Sequence, residues 1–401
     1  MKRYKIITLG CRTNQYESQA YADQLQRMGY IEGDDADLCI VNTCTVTASA
    51  DKRSVYQIRQ LKKHHPRARI AVTGCLTEQR GFALPEVDYV IPNLDKEKLL
   101  ETVFPDEDLP EFKIERFEAH TRAFVKIQDG CNSYCSYCII PFVRGRSRSR
   151  SIDEVLDEIR SLVDNGYKEV VLTGINIGDF EQGLAQLIRQ VDRIDGLERI
   201  RVSSIDADEV DEDLADSILS GDKTCPSMHI VLQSGSNLVL KRMRRKYTRQ
   251  EFINTCERLH KANADFTFTT DVIVGFPGET DQAFEETLSI IDQVRFAKVH
   301  MFPFSPRPGT RAARFTDTIE KSVVEERRQR VLRHTERIGY QLREQYVGRT
   351  MDVLIEGDNR GHTPNFLPVE VPGKRLRPNT LIEVDLIENT PEGLRGKYAH
   401  R

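Results

Sequence analysis

The chain has 401 residues and a formal net charge of −4, length for two or three domains and no overall positive excess that would by itself announce nucleic acid. No apolar run approaches the roughly 18 residues a membrane span needs, and Met1-Lys2-Arg3-Tyr4 leads straight into a strand-like run instead of a signal-peptide core. Nine cysteines, an odd number without a secretion signal, fit a reducing cytoplasm and metal chemistry better than a disulfide framework.

Three short apolar, branched runs open the chain, at Tyr4–Leu9, Leu38–Asn42 and Ile70–Thr73, with helical segments near 15–28 and 48–64 between them. This alternation predicts a parallel, Rossmann-like sheet with helices on both faces. A cysteine follows each strand: Cys11 in Leu-Gly-Cys, Cys44 in Asn-Thr-Cys and Cys75 in Thr-Gly-Cys. Sites in open parallel sheets form outside the carboxyl ends of the strands, so three distant thiols are expected to converge on one edge. Gly10 and Gly74 allow tight turns there. One such cysteine alone reads as a core thiol, as Cys39 does within its strand; three at equivalent positions predict a metal cluster. An acidic, proline-bounded stretch, 105–110, reads as a linker, and the first domain is taken as 1–118.

Just after the next strand-like run, 123–127, come Cys131, Cys135 and Cys138 at C-x3-C-x2-C spacing. Three thiolates in one loop suit three irons of a [4Fe-4S] cluster and leave the fourth iron open to a small molecule. Zinc is the plainer alternative, but a structural zinc wants a fourth ligand close by, and none stands here. Strand-like runs then recur at 169–172, 199–203, 228–232, 266–274 and 297–302, separated by helical stretches. Ser151-Ile152-Asp153-Glu154 and Thr248-Arg249-Gln250-Glu251 read as capping boxes. The second helix places Cys256 on its apolar face, and Cys225 falls in a loop before a strand. Six β-α units predict an incomplete (β/α)6 barrel over 119–346 with its chemistry at the strand C-termini. Those ends carry Thr173-Gly174, Ser203-Ser204 and the glycine-rich turn starting at Gly275.

Two basic runs interrupt the acidic whole: Arg144, Arg146, Arg148 and Arg150, then Lys241 to Arg249 with Arg244 and Arg245 at its centre. A charge run is most often a solvated face, but these flank the expected barrel mouth, and arginine suits phosphate contacts. Residues 319–346 read as one long helix. Short strands at 350–356, 367–371 and 380–387 predict a small antiparallel barrel over 347–401, whose balanced charges give no electrostatic argument for RNA.

The loop Gly130 to Cys138, with an aromatic before its third cysteine, resembles the signature of the radical S-adenosylmethionine (SAM) superfamily. Together with the first trio, in Thr8 to Glu17, Val41 to Thr47 and Thr73-Gly74-Cys75, the chain resembles the methylthiotransferases over essentially its whole length. Asn14-Gln15-Tyr16-Glu17 is similar to the branch acting on N6-threonylcarbamoyladenosine in tRNA, with Arg12 where lysine is commoner. The resemblance implies two [4Fe-4S] clusters, SAM, a TRAM-like RNA-binding tail, and methylthiolation at C2 of the modified adenosine beside the anticodon. It also implies an electron donor such as flavodoxin or ferredoxin, a sulfur source and a cytoplasmic setting. Tyr137 is then expected beside the SAM adenine, Thr173 and Gly174 at its amino group, Ser203 and Ser204 at its ribose or carboxylate, and Gly275 near the adenine. Arg12 or Arg144 is expected to meet the substrate carboxylate. The rival readings are the same chemistry on isopentenyladenosine or on a ribosomal-protein aspartate, and a non-catalytic metal-containing RNA-binding protein.

Overall fold

Strands buried on both faces need apolar residues at every position, and helical crossovers between them make them parallel. Leu38–Thr43 is such a run and is buried throughout. In the computed structural model, which describes residues 2–117, 120–373 and 375–399, β1 (Arg3–Thr8), β2 (Leu38–Thr43) and β3 (Arg69–Gly74) pair in parallel, β2 in the middle. Two-residue edge strands at Ile31–Glu32 and Tyr89–Val90, too short to show a period, widen the sheet to five. Helices α1 (Arg12–Arg27) and α2 (Ala48–His64) cross between the strands. The first begins three residues earlier than expected, with Cys11 at its N-cap, so Arg12, Thr13 and Asn14 form its first turn. The division expected after residue 118 falls outside the described residues.

The second sheet holds β4 (Arg122–Lys126), β5 (Glu169–Thr173), β6 (Arg199–Asp206), β7 (Thr224–Val231), β8 (Thr267–Val274) and β9 (Lys298–Pro303), neighbours in chain order and all parallel. No hydrogen-bonded ladder joins β4 to β9 among the described residues, so the barrel is incomplete. Both expected capping boxes form, at Ser151 and Thr248, and start helices Ile152–Asp164 and Arg249–Ala262. Their buried faces, including Ile152, Val155, Ile159, Leu162, Phe252 and Cys256, join one continuous core. Cys225 is corrected: β7 starts earlier than its apolar pattern shows, and the thiol is a buried strand residue.

After helix Lys321–Glu344, five strands from Thr350 to Tyr398 close into a small barrel, antiparallel except where Pro368–Glu370 meets Leu394–Tyr398. This is consistent with a TRAM-like module. It sits on the N-terminal ends of the central strands. Arg201 donates to the carbonyls of Pro364 and Thr363 at 2.8 and 2.9 Å, and Arg199 to those of His362 and Asp352 at 3.1 and 3.0 Å. Among the described residues no helix is long and apolar enough to cross a membrane.

Candidate active site between two cysteine trios

The first trio stands where parallel-sheet geometry places it. Cys11 follows β1, Cys44 follows β2, and Cys75 begins a short 3-10 turn after β3. Gly74 has φ +94°, and a side chain there would drive a Cβ into the Thr43 backbone and to 2.6 Å from Asn42 Oδ1. Asn14 ties the loops together, its amide donating to Leu9 O at 2.8 Å and to Asn42 Oδ1 and Thr43 O at 3.0 Å. Burial pushes the Cys75 thiol up to about 11, and raises Cys44 as well. Such thiols keep their protons until a metal replaces them.

The second trio lies on the loop after β4. Gly130, at φ +76°, lets this loop pass against the Arg146 carbonyl, where a Cβ would collide. The Ser133 amide donates to Cys131 Sγ at 3.4 Å, and Arg245 donates to Cys135 Sγ at 3.2 Å. Burial holds the Cys138 thiol up at about 12. Tyr137 stands edge-on to Phe276, ring centroids 6.3 Å apart.

One cavity of about 490 Å³ is walled by Cys11, Cys44 and Cys75 of the first trio and by Tyr137 and Cys138, the last cysteine of the second. Asn14, Arg144, Gln233 and Asp271 are among its polar lining. Gln233 is held at φ +64°, and its buried Oε1 has no partner among the described residues; strain of this kind collects at functional sites. The residues fit iron–sulfur clusters. Each donor set is three thiols, the ligand type iron–sulfur clusters take.

Several residues expected to touch substrate are otherwise engaged. Arg144 is not a phosphate contact: fully buried, it donates to Asp129 at 2.8 Å, Glu17 at 3.2 Å and Asn14. Arg150 donates to Tyr16 and Glu158 at 3.2 and 3.1 Å, and Arg245 is spent on Cys135, Tyr247 and Asp206. Of the two basic runs, Arg146, Arg148, Lys241, Arg244 and Lys246 are the exposed members. At Gly275 the missing side chain makes room for Val324, and the amide is held by Glu279 at 2.7 Å. Thr173 and Gly174 end β5 beside Gln128, whose Oε1 accepts from Ile175 and Asn176 at 3.0 and 2.9 Å. Ser203 is buried with an unpartnered Oγ, and Ser204 stands in register with His229; neither lines the cavity.

Arg12 sits over the Phe124 ring, 5.4 Å from its centroid, beside Arg122 and Arg201. Burial, reinforced by those two cations, lowers its pKa to about 10. Sequence reasoning missed a set of buried charges: Glu17, Lys96, Asp129 and Lys126 around Arg144. Glu17 and Tyr16, residues that carry the branch resemblance, thus build the join between domains. Arg307, after β9, makes a second join by donating to Thr45 and Asp51 at 2.8 and 2.6 Å. Nothing local in the sequence marks it.

A thiol-bearing parallel sheet set against an incomplete barrel with a C-x3-C-x2-C loop is the architecture of a radical SAM enzyme with a second cluster. The radical SAM superfamily model matches residues 125–291, and that of the uncharacterized protein family UPF0004 matches 3–91. The chain is 49% identical to threonylcarbamoyladenosine tRNA methylthiotransferase MtaB of Chlamydia pneumoniae, over 98% of this chain and 97% of that one. It is 37% identical to MtaB of Bacillus subtilis, over 95% and 93%, and 34% identical to tRNA-2-methylthio-N6-dimethylallyladenosine synthase of Clostridium novyi, over 95% and 92%. Its fold is shared with the radical SAM methyltransferase TsrM from Kitasatospora setae, TM-score 0.60 at 15% identity, over 87% of this chain and 79% of that one. The chain belongs to the radical SAM methylthiotransferases. Within that family it falls in the MtaB branch, and its cofactors are SAM and two [4Fe-4S] clusters.

Proposed function

We propose that the protein transfers a methylthio group to C2 of N6-threonylcarbamoyladenosine in tRNA. The observation that carries this reading is one cavity lined by all three cysteines of the first trio and by Cys138 of the second, and the near-full-length likeness to MtaB proteins supports the substrate. Cys131, Cys135 and Cys138 would hold the cluster whose open iron binds SAM, and Cys11, Cys44 and Cys75 the other. When bound, these groups supply the radical that takes hydrogen from C2 and the sulfur and methyl that replace it.

The chain's own residues position and enclose. Tyr137 offers an aromatic edge to the SAM adenine. Gln233 Oε1 and the Asp271 carboxylate present two acceptors on one wall, matching the paired hydroxyls of a ribose. Thr173, Gly174, Ser203 and Ser204 would contact the rest of SAM only along the barrel rim. Arg146, Arg148 and Arg244 remain available to RNA phosphates. An electron donor of the flavodoxin or ferredoxin kind and a sulfur source complete the reaction, in the cytoplasm where tRNA is modified.

The test is mass spectrometry of tRNA nucleosides from cells with and without this gene product, joined to iron analysis of anaerobically reconstituted protein. About eight irons per chain are expected for two cubane clusters, with half lost when either trio is changed to alanine. Loss of the methylthio group from isopentenyladenosine instead would move the enzyme to the other substrate.

A further inference from the structure

Three arginines, Arg12, Arg122 and Arg201, line one small chamber together with strand residues of the barrel, and two of them are neutralised. Arg122 pairs with Glu356 at 3.1 Å. Arg201 pairs with Glu169 at 2.6 Å and gives its remaining donors to Ser227 Oγ and two backbone carbonyls. Arg12 has neither an ion pair nor a hydrogen bond among the described residues; its one close partner is the Phe124 ring. A half-buried guanidinium without a counter-ion is costly, and nearby Arg122 and Arg201 add repulsion. Glu169 is already committed to Arg201 and Arg199. Asp271, the other carboxylate near Arg12, leans to His229 at 3.5 Å.

Arg12 also stands at the right place in the chain. It follows Cys11, which lines the cavity, and it shares a small chamber with His229, which pairs with the cavity-wall residue Asp271. That chamber has about 30 Å³ of space, so it admits the end of a side group and not a base. Arg144, the other basic residue near the trio, already faces Glu17 and Asp129.

We infer that Arg12 receives the carboxylate of the threonylcarbamoyl group and so sets the enzyme's preference for that modified adenosine. The inference rests on the substrate reading above. A guanidinium fork matches a carboxylate with two parallel hydrogen bonds, and Phe124 holds its plane from one side. An isopentenyl group, wholly apolar, would leave the charge unmatched.

The experiment measures binding with the cluster-loaded, full-length enzyme and no reductant, so that no turnover intervenes. The ligands are anticodon stem-loops bearing threonylcarbamoyladenosine, its methyl ester, or isopentenyladenosine, which carry the same phosphates. Wild-type enzyme is expected to bind the ester about tenfold or more weakly than the acid, the scale of a charge-assisted pair. R12Q and R12M, two neutral replacements of which the second keeps packing on Phe124, should bind acid and ester alike, and R12K should restore much of the difference. A full ester penalty in either neutral variant, or none in R12K, would overturn the role of Arg12 alone. A wild-type enzyme that prefers the isopentenyl stem-loop would overturn the substrate reading, and the inference with it.

Discussion

Arg144 donates to Glu17 at 3.2 Å across the join between the two cluster-bearing domains, and neither side chain is exposed. Lys96 approaches the same carboxylate at 2.7 Å. Burial pushes the Glu17 pKa up, but Lys96, Arg144 and Lys126 outweigh it and bring it down to about 2. E17Q should therefore cost about 3–5 kcal/mol, because it strands buried cations, as read by denaturant unfolding of the metal-free protein. A folded pKa below the ordinary 4.5 gives stabilisation that is complete above that value and lost as pH falls toward 2. E17Q should lose that part of the acid dependence. An unchanged acid limb would mean that another carboxylate governs it.

Arg245 should act on the radical SAM cluster and not on tRNA. Its N–H on Cys135 Sγ and its charge both favour added electron density, since hydrogen bonds to cluster sulfur and net charge set the potential. R245Q is expected to move that cluster's midpoint potential negative by on the order of tens of millivolts, followed by redox titration with spectroscopic detection. tRNA affinity should change little.

The surface pair makes the opposite case. Arg146 and Arg148 are exposed, so neutralising both should weaken tRNA binding and reduce its salt slope by about 1.4–1.8, the loss of two phosphate contacts. Binding isotherms at several salt concentrations read this directly. R150Q, which breaks the contacts to Tyr16 and Glu158, should lower stability and leave the slope in place.

G74A tests the first trio without touching a ligand. The new Cβ meets the Thr43 backbone at a φ that alanine adopts poorly. Reconstituted G74A should carry about half the iron, with the SAM-binding cluster retained. A full complement would show that the turn adapts.

Strands and cysteines were legible because their signals are local. A cysteine one or two residues past a branched run places itself at a sheet edge, and the capping boxes at Ser151 and Thr248 need only four residues. The basic residues were not legible in the same way. A solvated arginine and a buried one look alike in sequence, and the partner that buries Arg144 lies 127 residues away, at Glu17. Arg150 and Arg245 likewise carry no sign in the sequence of the carboxylates they meet, Glu158 and Asp206. Gln233 left no sign at all, since its strain and its unpartnered amide exist only once β7 and β8 are side by side.

The carbonyls of Asp352, His362, Thr363 and Pro364 stopper the underside of the catalytic barrel through Arg199 and Arg201. The last fifty residues are thus no detachable handle for RNA. Cutting them off would expose two guanidiniums evolved for a dry setting, and a truncated enzyme that failed would say more about folding than about tRNA capture. By the same token, swapping this module between relatives would transplant part of the barrel's floor, and a working chimera would need the matching pair of arginines above it.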